Sequence, residues 1–193
     1  MAEGDDADVT APTDTLELLV VANDEFARRL RLVGPDDWRR PTPCTEWDVR
    51  DLVNHVVGAD VRYRMLLRGA PTDEVEATRG ADSLGNDAVA AFVTAADDVA
   101  ACFAEDGAPD RVVHHVTGDR TGRQLLAMRI LDVAVHAWDL ARAIGADEHL
   151  DDEVVTFLLA GTADPDDVAP GATPQDRLLQ RTGRDPKTPE EVP

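Results

Sequence analysis

Two segments carry side chains that together could bind a divalent metal ion. The first, residues 41–55, reads PTPCTEWDVRDLVNH and ends in His55. The second, residues 131–145, reads LDVAVHAWDLARAIG and contains Asp132 and His136. Residues four apart on a helix share one face, so Asp132 and His136 are predicted to lie side by side. With His55 from another helix, they would form a three-ligand site that leaves coordination positions open for water or substrate.

Two imidazoles and one carboxylate suit the divalent ions Zn²⁺, Ni²⁺, Fe²⁺ and Mn²⁺, and Zn²⁺ is the ion we expect here. For His55 taken alone, a structural role is the stronger expectation. A single histidine beside an apolar helix stripe is commonly buried and satisfied by a hydrogen bond. The pair on the later helix is what makes His55 a candidate ligand.

The polar side chains of the second candidate helix form one narrow line on an otherwise apolar surface. They are spaced i, i+3, i+7 and i+10: Arg129, Asp132, His136 and Asp139. One interpretation is that this line faces water. The other is that it lines a cleft between helices, where bundles build metal and ligand sites. Within the line, Arg129 could bind a substrate carboxylate or form a salt bridge with Asp132, and both roles stay open.

Several other side chains near these segments have two interpretations. Cys44 precedes a predicted helix, where a thiolate is favoured electrostatically, but such a cysteine more often only packs. Trp47 is expected to pack the bundle and could also line the cleft. His114 and His115 are adjacent, so in an extended segment they point in opposite directions. One of the two could face the cleft, although solvent exposure is the simpler expectation.

Composition limits the classes of partner. The chain has 193 residues, and 39 acidic against 19 basic side chains give a formal net charge of −20. Nucleic acids and anionic membrane surfaces would be repelled, so neither is an expected partner. Two cysteines without a C-x-x-C motif, an acidic N-terminus and the lack of a long apolar run predict a reduced, cytoplasmic protein.

The elements that must position the candidate site are helices. Apolar side chains recur with helical spacing in four long segments, at about residues 13–33, 48–68, 86–105 and 121–144, and shorter helices are expected at 152–159 and 174–180. Residues 70–85 are expected to be irregular, and residues 107–122 to be a short extended segment or a loop. The prediction is an all-α, four-helix bundle with long connections and a short C-terminal helix, built as one domain over residues 13–186. Residues 1–12 and 187–193 are predicted to be disordered tails.

Both segments resemble DinB-like helical bundles, in particular the actinobacterial metal-binding family related to the N-terminal domain of mycothiol-dependent maleylpyruvate isomerase. Residues 172–186, ATPQDRLLQRTGRDP, resemble that family's closing segment. The resemblance implies a divalent metal held by a histidine on the second helix and an E-x-x-x-H pair on a later helix. These positions fall on His55, Asp132 and His136, with Asp132 one methylene shorter than the family's glutamate. The isomerase also carries a C-terminal domain that supplies substrate-binding groups, and we expect this chain to lack it.

Whether the chain is an enzyme stays open, but the leading hypothesis is catalytic. In it, the metal activates a low-molecular-weight thiol of the mycothiol type for attack on an electrophile, in a transferase or isomerase-like reaction. The first alternative is a non-catalytic bundle that binds a metal or small ligand, which the shorter Asp132 and the missing second domain favour. The second is a structural bundle without metal. A homodimer is also left open.

Overall fold

The fold is described by a computed structural model of residues 12–161 and 171–187, with side chains from residue 15 onward. Within those ranges there are four long helices: α1 (Pro12–Leu30), α2 (Val49–Leu67), α4 (Ala88–Phe103) and α5 (Gly122–Ile144). Three shorter helices are α3 (Thr72–Glu76), α6 (Asp152–Ala160) and α7 (Pro174–Arg181). The predicted all-α four-helix bundle with a short C-terminal helix is confirmed. The predicted tails lie outside the described residues except for Pro12 and Lys187, so the domain boundaries stay predictions.

The two helices that carry the candidate ligands begin at capping boxes. In a capping box, the side chain of the residue before the helix and the side chain of the third helical residue each accept a hydrogen bond from the backbone N–H of the other. At the start of α2, the Asp51 N–H donates to Asp48 at 2.9 Å, and the Asp48 N–H donates to Asp51 at 3.3 Å. At the start of α5, Thr121 and Gln124 make the same exchange. These caps fix where each helix begins, and therefore which residues face the bundle interior.

The core lies between the long helices, with α1 packed on α4 and α5, and α2 packed on the same two helices. It is built mainly from Leu, Val and Ala, with a contact between Phe26 and Phe92 whose ring centroids are 4.7 Å apart. Helix α5 is buried on most of its surface, as its nearly uniform apolar sequence predicts. None of the helices within the described ranges combines the length and apolarity needed to cross a membrane.

The connections differ from the prediction in two places, and in a third the structure decides between two open alternatives. Helix α1 ends at Leu30, not Val33, because residues after it form a turn in which the Gly34 N–H donates to Asp37 at 2.8 Å. The segment expected to be irregular contains α3. The segment at 107–122, left open between a strand and a loop, contains an antiparallel hairpin of β1 (Val112–His115) and β2 (Gly118–Thr121).

Candidate metal centre

Helices α2 and α5 bring the three predicted ligands to one point. His55 Nε2 lies 3.3 Å from Asp132 Oδ1, and His136 Nε2 lies 3.4 Å from the same oxygen. The two imidazole rings meet edge to face with centroids 5.0 Å apart. One ligand atom from each residue lies within 4.8 Å of the other two. The polar line of α5 therefore faces the bundle interior, with Asp132 and His136 at the cleft. The interpretation that it faces water is wrong, since Arg129 and Asp139 are fully buried and His136 is 7% exposed.

The spacing of these atoms fits a small divalent ion. Bonds of about 2.0–2.1 Å arranged tetrahedrally put neighbouring ligand atoms roughly 3.3 Å apart. The two nitrogen–oxygen distances, 3.3 and 3.4 Å, agree with that spacing. Asp132 thus reaches both histidines without the extra methylene of a glutamate. The donor set, two nitrogens and one oxygen, is one that Zn²⁺ accepts at sites with an open position.

Charge at the cluster favours a cation between its members. Burial alone would raise the pKa of Asp132, but hydrogen bonds with His136 and His55, together with the charges of His136 and Arg129, hold it well below its usual value. Burial alone would lower the pKa of His136, but hydrogen bonds with Asp132 and Asp139 raise it well above its usual value. The carboxylates therefore stabilise positive charge on the imidazole side of the cleft, whether a proton or a metal ion supplies it.

Arg129 supports Asp132 from behind and does not reach the cleft. Its Nη1 donates to Asp132 Oδ2 at 2.6 Å and its Nε donates to Asp60 Oδ1 at 2.8 Å. Its Nη2 donates to the carbonyl oxygen of Val56 at 3.2 Å, and the side chain has no exposed surface. The salt bridge with Asp132 is therefore present, and the expectation that Arg129 binds a substrate carboxylate is replaced by a positioning role, since no part of its guanidinium is accessible.

Asp60 was not identified from the sequence, although it carries half of this ion-pair network. It lies four residues after Val56 on the apolar stripe of α2 and is fully buried. A carboxylate on a buried stripe costs free energy unless a cation pairs with it. The position of Asp60 on the apolar stripe could have identified it, because a carboxylate there predicts an arginine or lysine on a facing helix.

Asp139 and Arg184 hold the other side of His136. His136 Nδ1 lies 2.9 Å from Asp139 Oδ2, and Arg184, in the segment after α7, donates to the same oxygen at 2.8 Å. Cys44 Sγ lies 3.4 Å from Asp139 Oδ2 and 3.4 Å from Arg184 Nη2. Cys44, His136 and Asp139 form a second group with metal-ligand chemistry. Because the Arg184 guanidinium already pairs with two of its members, this group supports the first site and is a poor cation site itself.

Two cavities open beside the candidate ligands. One, of about 400 Å³, is lined by polar groups that include Asp51, Asn54 and His55, together with Trp47. The Trp47 ring stacks on His55 with centroids 4.6 Å apart, so it lines the cleft as well as packing. The second cavity, of about 200 Å³, is lined by His55 and Asp132 and also by His115 from the hairpin. Of the adjacent histidines, His115 is thus the one that faces the cleft, while the side chain of His114 is 76% exposed.

The fold and this cluster define a class of protein, a helical bundle with a histidine–carboxylate site between two of its helices. The chain matches the family model described as the mycothiol maleylpyruvate isomerase N-terminal domain over residues 19–141, and it belongs to that family. Two relatives, uncharacterized proteins from two strains of Mycobacterium tuberculosis, are each 36% identical over 139 residues, which is 72% of this chain and 72% of theirs.

The fold also matches solved structures. Crystal structures of the mycothiol-dependent maleylpyruvate isomerase and of a histidine-to-alanine mutant of that enzyme align with a TM-score of 0.62. The alignments cover 78% of this chain and 68% of each of those chains, at 18% identity. The predicted DinB-like fold and the family resemblance are confirmed. At this identity the likeness concerns the fold alone.

Proposed function

We propose that this chain is a metal-dependent enzyme that uses a low-molecular-weight thiol of the mycothiol type, in an isomerase-like or transferase reaction. His55, Asp132 and His136 would hold the metal, with Zn²⁺ as the expected ion. The observation that carries the proposal is the convergence of the three ligand atoms within 4.8 Å, where His55 lines two cavities and Asp132 lines one of them. Membership of a family whose model is described by mycothiol and maleylpyruvate isomerase supports the thiol and the reaction type.

A bound divalent ion would supply a Lewis acid that lowers the pKa of a thiol and favours its thiolate form. Three neighbouring side chains orient the candidate ligands. Arg129 fixes Asp132 through Oδ2 and leaves Oδ1 facing the two imidazoles. Asp139 accepts the Nδ1–H of His136 and so leaves Nε2 as the ligand atom. Trp47 covers one face of His55 and limits its rotation.

The cavities match two reactants in size and polarity. The larger one, about 400 Å³, has carboxylate and amide groups from Glu46, Asp51 and Asn54 that suit a hydroxyl-rich thiol. The smaller one, about 200 Å³, has more apolar lining and suits a compact electrophile. His55 and the arginines Arg62 and Arg79 line both cavities, so the two reactants would meet beside the candidate ligands.

The alternative is a non-catalytic bundle that binds a metal or a small ligand. The convergence of His55, Asp132 and His136 supports it as well, since binding an ion needs this donor set but no catalytic step. A homodimer and a cytoplasmic location stay predictions under either function.

Cobalt substitution separates the two proposals. Metal-free protein is loaded with Co²⁺, mycothiol is added, and the absorption spectrum is recorded. A sulfur-to-cobalt charge-transfer band is expected for the thiol-using enzyme, together with thiol-dependent consumption of an unsaturated keto acid such as maleylpyruvate. Stoichiometric Co²⁺ without either signal would support the binding bundle. Protein that takes up no Co²⁺ would exclude the metal-dependent enzyme and the metal-binding form of the bundle, and would leave only a bundle that binds a small ligand.

A further inference from the structure

The cavity of about 200 Å³ is lined by Asp132 and His55 of the candidate metal centre, but also by two side chains to which the proposed function gives no role, Tyr63 and His115. They come from different elements, α2 and the end of β1. Their ring centroids are 6.5 Å apart and tilted by 54°. Two polar side chains at that separation can approach a single small molecule from two directions.

The hydrogen bonds of His115 determine which ring nitrogen carries the proton. The backbone N–H of Thr117 donates to His115 Nδ1 at 3.2 Å, and the Thr117 hydroxyl oxygen lies 2.9 Å from the same nitrogen. Because a backbone N–H can only donate, Nδ1 is an acceptor and the neutral ring carries its proton on Nε2. No hydrogen bond to Nε2 comes from any residue that the structure describes. Burial lowers the pKa of His115, and the charges of Arg120 and Arg79 lower it further against the opposing effect of Glu76. The ring is therefore neutral at neutral pH, with one free N–H donor.

Tyr63 supplies a second neutral donor. Burial raises the pKa of its hydroxyl, so the group stays protonated. Within residues 12–161 and 171–187, the hydroxyl has no hydrogen-bond partner from the protein. An unsatisfied donor that lines a cavity is available to a ligand.

The hairpin holds His115 at the cavity by two backbone constraints. Thr72 of α3 donates its hydroxyl to the carbonyl oxygen of His114 at 2.8 Å. His115 pairs with Gly118, whose φ of 107° closes the turn in a conformation that a side chain would strain. The position of the imidazole is thus set by the fold and does not depend on a bound ligand.

We propose that the Nε2–H of His115 and the O–H of Tyr63 bind the carbonyl oxygen of a small conjugated electrophile and stabilise the negative charge that this oxygen gains when a thiolate attacks. This assignment rests on the proposed function, for which His115 and Tyr63 become catalytic residues. The sulfur lone pair forms the carbon–sulfur bond, the carbon–carbon π pair moves toward the carbonyl carbon, and the carbonyl π pair moves onto oxygen. Expulsion of the thiolate reverses these shifts after rotation about the new single bond, so no oxidant or reductant is needed.

Neutral donors suit this role because they respond to charge that develops during the reaction. They bind a neutral carbonyl oxygen weakly and an oxyanion more strongly, and they are already oriented before the reaction starts. The cationic side chains at the cavity, Arg62 and Arg79, would instead attract any anionic group from the ground state onward.

Binding of 4-nitrophenolate tests the pair without metal, thiol or turnover. This anion presents one charged oxygen on a compact ring, and its absorbance shifts when that oxygen accepts hydrogen bonds. The full chain, stripped of metal, is titrated as wild type, His115→Phe, Tyr63→Phe and His114→Phe. Each of the first two substitutions removes a donor while keeping a ring, and His114→Phe is the matched control on the exposed face of the strand.

Loss of a hydrogen bond to a charged oxygen should weaken binding roughly 10- to 100-fold in His115→Phe and in Tyr63→Phe, with no change in His114→Phe. His115→Gln, which keeps an N–H donor, should recover part of the affinity. Equal dissociation constants in the wild type and both ring variants, or no binding to the wild type, would overturn the assignment. Failure of the proposed function would instead appear in the cobalt and mycothiol experiment, in which neither donor is altered.

Discussion

Nδ1 of His136 lies 2.9 Å from Oδ2 of the fully buried Asp139, and this contact decides which nitrogen of His136 can bind a metal. A carboxylate can only accept, so Nδ1 carries the proton and Nε2 is left facing Asp132. Burial alone would raise the pKa of Asp139, but hydrogen bonds from His136 and Arg184 hold it below its usual value. A charged carboxylate behind a metal-binding histidine raises the basicity of the ligand nitrogen.

Replacing Asp139 with Asn should therefore weaken the metal site. The amide can still accept the Nδ1–H, but the negative charge behind the imidazole is lost. We expect the dissociation constant for Zn²⁺ to rise about 10-fold or more. Competition with a chelating dye measures it. Asp98→Asn, which neutralises a half-exposed carboxylate on α4, is the control and should leave the affinity unchanged. An Asp139→Asn protein with wild-type affinity would show that this contact does not support the site.

Arg129→Leu should destabilise the fold strongly. The substitution leaves Asp60 buried without its cation and removes the partner of Asp132 Oδ2. Breaking a buried ion pair from one side costs about 3–5 kcal/mol of unfolding free energy. Urea denaturation measures the loss. Arg123→Leu is a matched control on the same helix, since Arg123 pairs with Asp110 at 3.5 Å in an exposed position. Losses of similar size in both variants would contradict the account of the Asp60–Arg129–Asp132 network.

Asp60 should also give the stability a distinctive pH dependence. Burial raises its pKa to about 6, although Arg129 partly offsets the shift. Since the folded-state pKa lies above the unfolded value, the native state binds the proton more tightly. The contribution of Asp60 to stability should therefore fall as the pH rises from about 4 to about 6, by up to ~3 kcal/mol, and stay constant above that range.

The measurement is the unfolding free energy of the wild type minus that of Asp60→Asn, determined from pH 4 to pH 8. Subtraction removes the contributions of the other titrating groups, provided that they titrate alike in both proteins. A difference that rises with pH would mean that the charge of Arg129 outweighs the burial of Asp60, which is the opposite of the sign expected here.

The sequence predicted most of the helices and the Asp132–His136 pair because both follow from local spacing. His55 became the third candidate ligand only through that pair and the family resemblance. Asp132 and His136 are four residues apart on one helix, so their shared face needs no tertiary knowledge. For Trp47 and His115 the sequence left open whether the side chain lines the cleft. The answer depends on how α2 packs against α5 and on where the hairpin lies beside these two helices. Local patterns do not contain such contacts.

The supporting residues depend on contacts between segments far apart in sequence. Asp60 meets Arg129 across 69 positions, and Arg184 meets Asp139 across 45. The closing segment was recognised by resemblance, but nothing in it indicated that Arg184 reaches a residue behind His136. A buried carboxylate on an apolar stripe predicts a cationic partner and leaves its location undetermined.

Trp47 should report metal binding by fluorescence. Its ring centroid lies 4.6 Å from that of His55 and 5.8 Å from that of His136, so an ion held by these histidines would lie within a few ångströms of the indole. Ni²⁺ at that distance should quench its emission. Titration of metal-free protein with Ni²⁺ should show saturable quenching in the wild type and in Trp38→Phe, and most of it should disappear in Trp47→Phe. Equal quenching in the two variants would place the ion elsewhere.

The most direct measurement is calorimetric titration of Zn²⁺ into metal-free wild type, His55→Ala, His136→Ala and the controls His114→Ala and His149→Ala. Each of the first two variants leaves only two of the three ligands, which hold an ion weakly. We expect one Zn²⁺ per chain in the wild type and in both controls, and loss of stoichiometric binding in His55→Ala and His136→Ala. Equal affinity in the wild type and His136→Ala would contradict the metal centre and, with it, the thiol-activating function.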